Sequence, residues 1–199
     1  RHRAKVLGVT GSCGKTSTKE WLGAVLAQAM PTVRSPGSFN NQIGVPLTLF
    51  KIAPDTRAAV VEIGTNAPGE IARLTEIARP DVGIVTCVAP AHLEGLGSVA
   101  GVAREKSALP AGLPEDGLCI LNGDDAACRA MAAVTRAKVE LFRVEHEADA
   151  GIAHAVRDGE RGHDLGIHRR GKVQRLAPAL AGEHDLETGR WRGCHSRRC

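Results

Sequence analysis

The sequence predicts an α/β fold, a doubly wound and mostly parallel sheet carrying a phosphate-binding loop, with a small antiparallel β add-on. Two observations predict it. Short continuous apolar runs, the kind that burial on both sheet faces produces, alternate with amphipathic helical stretches over the first 143 residues. The first run leads directly into a Gly-rich turn and then a helix.

Taken in order, residues 5–9 (KVLGV) are predicted as a buried strand and 17–29 as a helix whose apolar face is Trp21, Leu22, Val25, Leu26 and Ala29. Residues 32–35 predict a short strand, 45–52 a helix with Pro46 in its first turn, and 58–63 a fully buried strand. A helix over 69–78 is stopped by Pro80, and 82–88 predicts a further buried strand. Residues 98–109 read as a helix, 118–121 as a strand, 124–134 as a helix and 138–142 as a last strand.

Beyond residue 143 the pattern changes. Runs at 151–156, 164–168 and 172–176 are separated by Asp158-Gly159 and Arg170-Gly171, hairpin-type turns of an antiparallel extension that reaches residue 184. Residues 185–199 carry neither period and are expected to be a disordered, aberrant tail. The expected division is therefore 1–143, 144–184 and 185–199.

The net charge of +4 comes from residues 157–199, where 10 Lys+Arg face 6 Asp+Glu, leaving the rest of the chain balanced. With three Phe, two Trp and no Tyr, the chain lacks the stacking surface of a single-strand nucleic-acid binder, so no nucleic-acid partner is expected. No apolar stretch approaches the ~20 residues that span a bilayer, and no leader is evident. The expectation is a cytoplasmic fragment, monomeric and without a membrane partner. Six cysteines without a CxxC pair suit reduced thiols.

The chemistry concentrates in TGSCGKTS, residues 10–17. Small residues let the amides of Gly11, Ser12, Cys13 and Gly14 turn toward phosphate oxygens, and the helix that begins near Ser17 adds its positive dipole end. Lys15 is placed to meet the phosphates and the Thr16 hydroxyl to ligate Mg²⁺. Cys13 is expected to act through its backbone, its thiol passive. The strict pattern asks for Gly where Val9 stands, so the loop is a variant.

Glu62 closes an apolar strand at the carboxyl end, where a carboxylate is costly unless a cation meets it; it is a candidate Mg²⁺ ligand beside Thr16. His92 lies just beyond another strand end, on the same rim. Lys106, on the helix SVAGVAREKSAL, has nothing in its local spacing to single it out.

The segments TGSCGKTSTKE, GSFNNQIGVPLTLF, EIGTNAPGEI, AHLEGLGSVAGVAREK and ILNGDD, in this order, resemble the central domain of the Mur ligases over about residues 5–184. Within that family, NNQIGVPLTLF and AHLEGLGSVAG resemble the type that adds D-alanyl-D-alanine to UDP-N-acetylmuramoyl-tripeptide. The resemblance implies an ATP-dependent ligase of peptidoglycan synthesis that works through an acyl phosphate and two Mg²⁺ ions. It implies Thr16 and Glu62 for the first metal and His92 with Lys106 for the second, Lys106 being carbamylated by CO₂. It also implies Asn41 near the γ-phosphate and Asn122 facing the nucleotide. Folylpolyglutamate and cyanophycin synthetases share these features, and an inactive nucleotide-binding remnant of such a ligase is the other alternative. Ser38 stands where relatives have Asn, and after LAGEH at 180–184 the family's Asn-containing, Ala-rich helix is replaced by DLETGRWRGCHSRRC, as a shifted frame or truncated gene would give.

Overall fold

The structure, a computed structural model, describes residues 4–143 and the strand segments 150–157, 163–169 and 172–176. The chain divides into two units, Arg1–Leu141 and Phe142–Cys199. Strands β1 (Lys5–Thr10), β2 (Thr32–Arg34), β3 (Ala58–Glu62), β4 (Val82–Val85) and β5 (Leu118–Asn122) of the first unit, with β6 (Lys138–Arg143) at its end, stand in the order β2-β3-β1-β4-β5-β6. β1 pairs in parallel with both β3 and β4, β2 with β3, and β4 with β5. The chain thus steps outward from β1 on one side and returns to β4 on the other. A crevice opens at such a switch point, outside the carboxyl ends of the strands.

Helices α1 (Lys15–Ala27), α2 (Gly44–Leu49), α3 (Glu70–Ala78), α4 (Leu93–Leu96), α5 (Val99–Lys106), α6 (Ala108–Ala111) and α7 (Ala126–Ala130) connect the strands. The side-chain alternation of β3 shows why both sheet faces are covered. Ala59, Val61 and Ile63 pack with Val45 of α2, Ile71 and Leu74 of α3 and Leu109 of α6, whereas Val60 joins Val9 and Ile84 beneath Leu22 and Leu26 of α1. All five β3 residues are buried, which is why the strand reads as an unbroken apolar run up to Glu62.

The expected elements are present, with five differences. The buried stripe of α1 centres on Lys19 and Gly23, flanked by the partly buried Leu22 and Leu26, while Trp21, Val25 and Ala29 of the expected apolar face are exposed. Lys19 is drawn inward because its ammonium donates to the carbonyls of Ser35 (2.9 Å) and Gly37 (2.6 Å). β4 ends at Val85 rather than residue 88, because the Thr86 hydroxyl turns to the carbonyls of Thr10 and Cys13. The helix expected over 98–109 breaks at Ser107 into α5 and α6, and the one expected over 124–134 is α7 followed by a single 3-10 turn, Met131–Ala133. α4, in the segment that follows β4, has no counterpart among the predicted elements.

In the second unit, β7 (Ala150–Arg157) pairs antiparallel with β8 (His163–Arg169), and β8 with β9 (Lys172–Leu176). The proposed hairpin turns at 158–159 and 170–171, the LAGEH segment and the tail 185–199 lie outside the described residues.

One buried carboxylate ties the rim together. α3 is preceded by Gly69, which offers no side-chain cap, and the amides at its start are met instead by Glu105 of α5. Glu105 is only 7% exposed and accepts from Gly69 N (2.7 Å), Ile71 N (2.8 Å) and the Thr65 hydroxyl (3.4 Å). Removing a charged acceptor from buried amides costs roughly 2–4 kcal/mol, so Glu105→Ala is expected to lower the urea midpoint accordingly. A loss below about 1 kcal/mol would show that these amides find other partners.

Candidate active site

The carboxyl ends of β1, β3 and β4 converge at the switch point. From β1 the chain enters residues 11–14, where Gly11 (φ 151°) and Gly14 (φ 78°) hold backbone conformations that side chains disfavour. A Cβ on Gly11 would meet the Thr86 hydroxyl. α1 starts at Lys15, and Thr16 and Ser17 in its first turn are exposed. The Lys15 ammonium folds back over the loop, donating to the Gly11 carbonyl at 2.8 Å and the Ser12 carbonyl at 3.5 Å. An anion entering here finds a cation already resting on the loop that would cradle it.

The loop is strapped to the segment leaving β4. Ser12 N donates to the Cys87 carbonyl (2.9 Å), and the Ser12 hydroxyl exchanges hydrogen bonds with Ala89, donating to its carbonyl and accepting from its amide. Asn122, at the end of β5, donates to the Thr86 carbonyl (2.9 Å) and accepts from Asp124 N (2.9 Å). It therefore braces the same rim.

Glu62 is 1% exposed. Its Oε1 accepts from the Asn40 amide at 2.8 Å, and its Oε2, 3.9 Å from the Lys19 ammonium, has no hydrogen-bond partner among the described residues. Gly64 makes this possible, since a Cβ there would lie 2.6 Å from Asn40 Cγ. A buried carboxylate oxygen without a hydrogen-bond donor among the described residues, at the carboxyl end of a strand, fits a cation ligand.

Lys15, Asn40, Gly64, Thr65, Asn66, His92 and Lys106 line one cleft of about 70 Å³. His92 is exposed and adopts a left-handed backbone (φ 53°) as it opens α4. Lys106 is 2% exposed, and its pKa is lowered from 10.5 to about 8, first by desolvation and then by the charge of Lys15. Three residues remote in sequence, Lys15, His92 and Lys106, thus share one polar space. No cluster of three or more His, Cys, Asp or Glu suited to a metal exists among the described residues. A magnesium site needs none, because it takes one or two carboxylates and completes its shell with phosphate and water oxygens.

Asn41 is placed differently from its neighbour. Its Oδ1 accepts from Ile43 N (3.1 Å) and Gly44 N (2.9 Å), capping the start of α2, and Asn40 is the member of the pair that reaches Glu62 and the cleft. Asn40, Lys19 and Glu105 were not singled out by the sequence. The doubled Asn marked the place without saying which one turns inward.

A parallel sheet with a Gly-rich loop between β1 and α1, a lysine on that loop and a buried carboxylate on the neighbouring strand define a protein of the phosphate-loop nucleotide-binding class. The Mur ligase middle domain model matches residues 9–187, and the chain belongs to that family. It is 48% identical over 122 residues to UDP-N-acetylmuramoyl-tripeptide--D-alanyl-D-alanine ligase of Escherichia coli (strain K12), covering 61% of this chain and 27% of that protein. The ligase of the same name from Mycobacterium bovis is 35% identical over 181 residues, 91% of this chain and 36% of that one. Among solved structures, MurF ligase from Thermotoga maritima in complex with ADP superposes with a TM-score of 0.77 at 26% identity, covering 88% of this chain and 40% of that chain. The chain spans 27% to 40% of the length of these relatives. No helix among the described residues is long and apolar enough to cross a membrane.

Proposed function

We propose that this chain is the ATP- and Mg²⁺-binding central domain of an ATP-dependent ligase that joins D-alanyl-D-alanine to UDP-N-acetylmuramoyl-tripeptide in peptidoglycan synthesis. The observation that carries the proposal is the shared cleft of Lys15, His92 and Lys106 beside the loop and the buried, donor-poor Glu62. The names of the relatives and the ADP bound to one of them support it.

In this reading the amides of Gly11, Ser12, Cys13 and Gly14, with Thr16 and Ser17, hold the triphosphate, and Lys15 leaves its loop carbonyls for the phosphate oxygens. Asn40 orients Glu62 through its amide. Asn41 and Asn122 act by fixing α2 and the rim on either side of the nucleotide. Thr16 and Glu62 would hold one Mg²⁺, and His92 with a carbamylated Lys106 the second. The metals supply positive charge that offsets the charge gathering on the transferred phosphoryl group.

Lys106 suits carbamylation because an amine must be neutral to attack CO₂, and burial favours the neutral form. Transfer of the γ-phosphoryl group to the substrate carboxylate gives an acyl phosphate, whose carbonyl the dipeptide amine attacks with release of phosphate. The protein contributes position and charge and no covalent nucleophile.

The reading extends to a cytoplasmic, monomeric protein without nucleic-acid or membrane partners, and to a core over 1–143 extended by 144–184. The test has two arms. Calorimetric titration of the chain with ATP should show binding that needs Mg²⁺, is lost in EDTA and strengthens with bicarbonate unless Lys106 is replaced by Ala. The domain placed within a full-length relative should release phosphate only when both the UDP-linked tripeptide and D-alanyl-D-alanine are present. Release with a folate or another amino acid acceptor would reassign the substrate, and metal-independent binding would remove the roles of Glu62 and Lys106.

A further inference from the structure

Two thiols meet at the phosphate loop. The sulfurs of Cys13, in the loop, and Cys87, in the segment leaving β4, are 3.0 Å apart, and neither is in a disulfide. The Cys13 amide also points at the Cys87 sulfur, 3.4 Å away. Cys13 is exposed and Cys87 partly so. The remaining described cysteines contrast with this pair. Cys119 and Cys128 are buried, and desolvation pushes the Cys119 thiol up to about 11 and that of Cys128 higher still. Buried, protonated thiols are inert, whereas solvent-reachable thiols within contact distance of each other are set to pair.

The surroundings already hold the two residues face to face. Ser12 N donates to the Cys87 carbonyl, the Thr86 hydroxyl donates to the Cys13 carbonyl at 2.5 Å, and the Ser12 hydroxyl is bonded to Ala89 on both sides. Bringing the sulfurs to the ~2.05 Å of a disulfide needs an approach of about 1 Å. Cys13 lies on the loop that leads into Lys15, a lining residue of the cleft.

We infer that Cys13 and Cys87 form an oxidative modification site, converted by a hydroperoxide into a disulfide that closes the phosphate cradle to nucleotide. One sulfur attacks a peroxide oxygen, breaking the O–O bond, so that the sulfur becomes a sulfenic acid and an alcohol leaves, or water when the oxidant is hydrogen peroxide. The second sulfur then attacks the sulfenic sulfur, forming the S–S bond and releasing water. Two thiols and one hydroperoxide give one disulfide, one alcohol and one water, and the two electrons lost by sulfur reduce the peroxide. A dithiol reductant reverses the change by exchange.

The consequence for the cradle follows from the Cys13 amide. In the reduced chain it donates weakly to sulfur and can turn to a phosphate oxygen. Once the sulfurs are bonded, that amide is held against Cys87 and the loop cannot move off the β4 exit. Loss of one charge-assisted donor from an anion site corresponds to roughly ten- to hundredfold weaker Mg-ATP binding. This effect rests on the proposed reading of residues 10–17 as a phosphate cradle, but the disulfide itself does not.

The experiment treats the chain with a stoichiometric excess of hydrogen peroxide, maps cross-linked peptides by mass spectrometry after proteolysis, and titrates Mg-ATP into oxidised and dithiothreitol-reduced samples. The expected result is a Cys13–Cys87 cross-link, a loss of two mass units, and affinity lowered ten- to hundredfold and restored by dithiothreitol. Cys87→Ser and Cys13→Ser, each compared with its own reduced form, should show neither the cross-link nor the change in affinity. A peroxide product carrying only sulfinic acid, or one that pairs other cysteines, overturns the site. A mapped Cys13–Cys87 bond with affinity unchanged within twofold overturns the closure. Failure of the reduced chain to bind Mg-ATP sinks the proposed function and with it the closure, while the peptide map still decides the modification site.

Discussion

Lys15→Ala is expected to abolish measurable Mg-ATP binding in calorimetric titration. The ammonium is the cation that rests on the loop itself, 2.8 Å from the Gly11 carbonyl, and among the described residues it donates to two backbone oxygens of that loop. Lys19 cannot replace it. Its ammonium is 0% exposed and is committed to Ser35, Gly37 and Glu20. Lys106 is buried across the cleft and already carries a depressed affinity for its proton. The loss should exceed that of a neutral hydrogen bond, because the phosphate oxygens lose a charged partner in a partly desolvated place, an effect worth roughly 1.5–3 kcal/mol or more. Stability should change little, since no core contact is removed. Binding retained within threefold would mean that the triphosphate does not lie over this loop.

Lys106→Met should make the fold more stable at pH 7, not less. Lys106 titrates at about 8 in the folded chain against 10.5 as its ordinary value, so between these values the unfolded chain holds more protons. Stability therefore rises as pH climbs from about 8 towards 10.5, and the full penalty for charging the buried amine is present below 8. That penalty is on the order of 3 kcal/mol, and an unbranched apolar side chain of similar length removes much of it. Urea denaturation at pH 7 should show a gain of about 1–3 kcal/mol for Lys106→Met, and the rise in stability between pH 8 and 10.5 should flatten. If the substitution destabilises the chain and the pH dependence persists, the lysine is not the source of the slope. The gain in stability would come with loss of the bicarbonate response, since a thioether cannot be carbamylated. On the proposed reading, such a residue serves the chemistry against the interest of the fold.

The central strands were legible because β1 and β3 are covered on both faces and so write their burial as continuous apolar runs. The loop was legible because its chemistry is local, eight consecutive residues that run from the end of a strand into the first turn of a helix. What escaped was whatever depends on distant partners. The inward face of α1 is built on Lys19, whose burial is explained only by the carbonyls of residues 35 and 37, so a hydrophobic pattern assigns that face to Trp21 and Val25 instead. The end of β4 was misjudged because Thr86 and Cys87 look like strand residues until the loop from β1 is beside them. Lys106 has no local signal at all; the resemblance named it, and the structure places it in the cleft.

Glu105 and Lys106 are neighbours in the chain, and both are buried. One grips the amides that begin α3, and the other lines the cleft with Lys15. The last turn of α5 therefore cannot shift to adjust the lysine without loosening the carboxylate, nor the reverse. In mechanical terms the wall that carries Lys106 has no slack of its own. In evolutionary terms a change on the loop of residues 65–71 is felt in the cleft before any residue that lines it has been replaced.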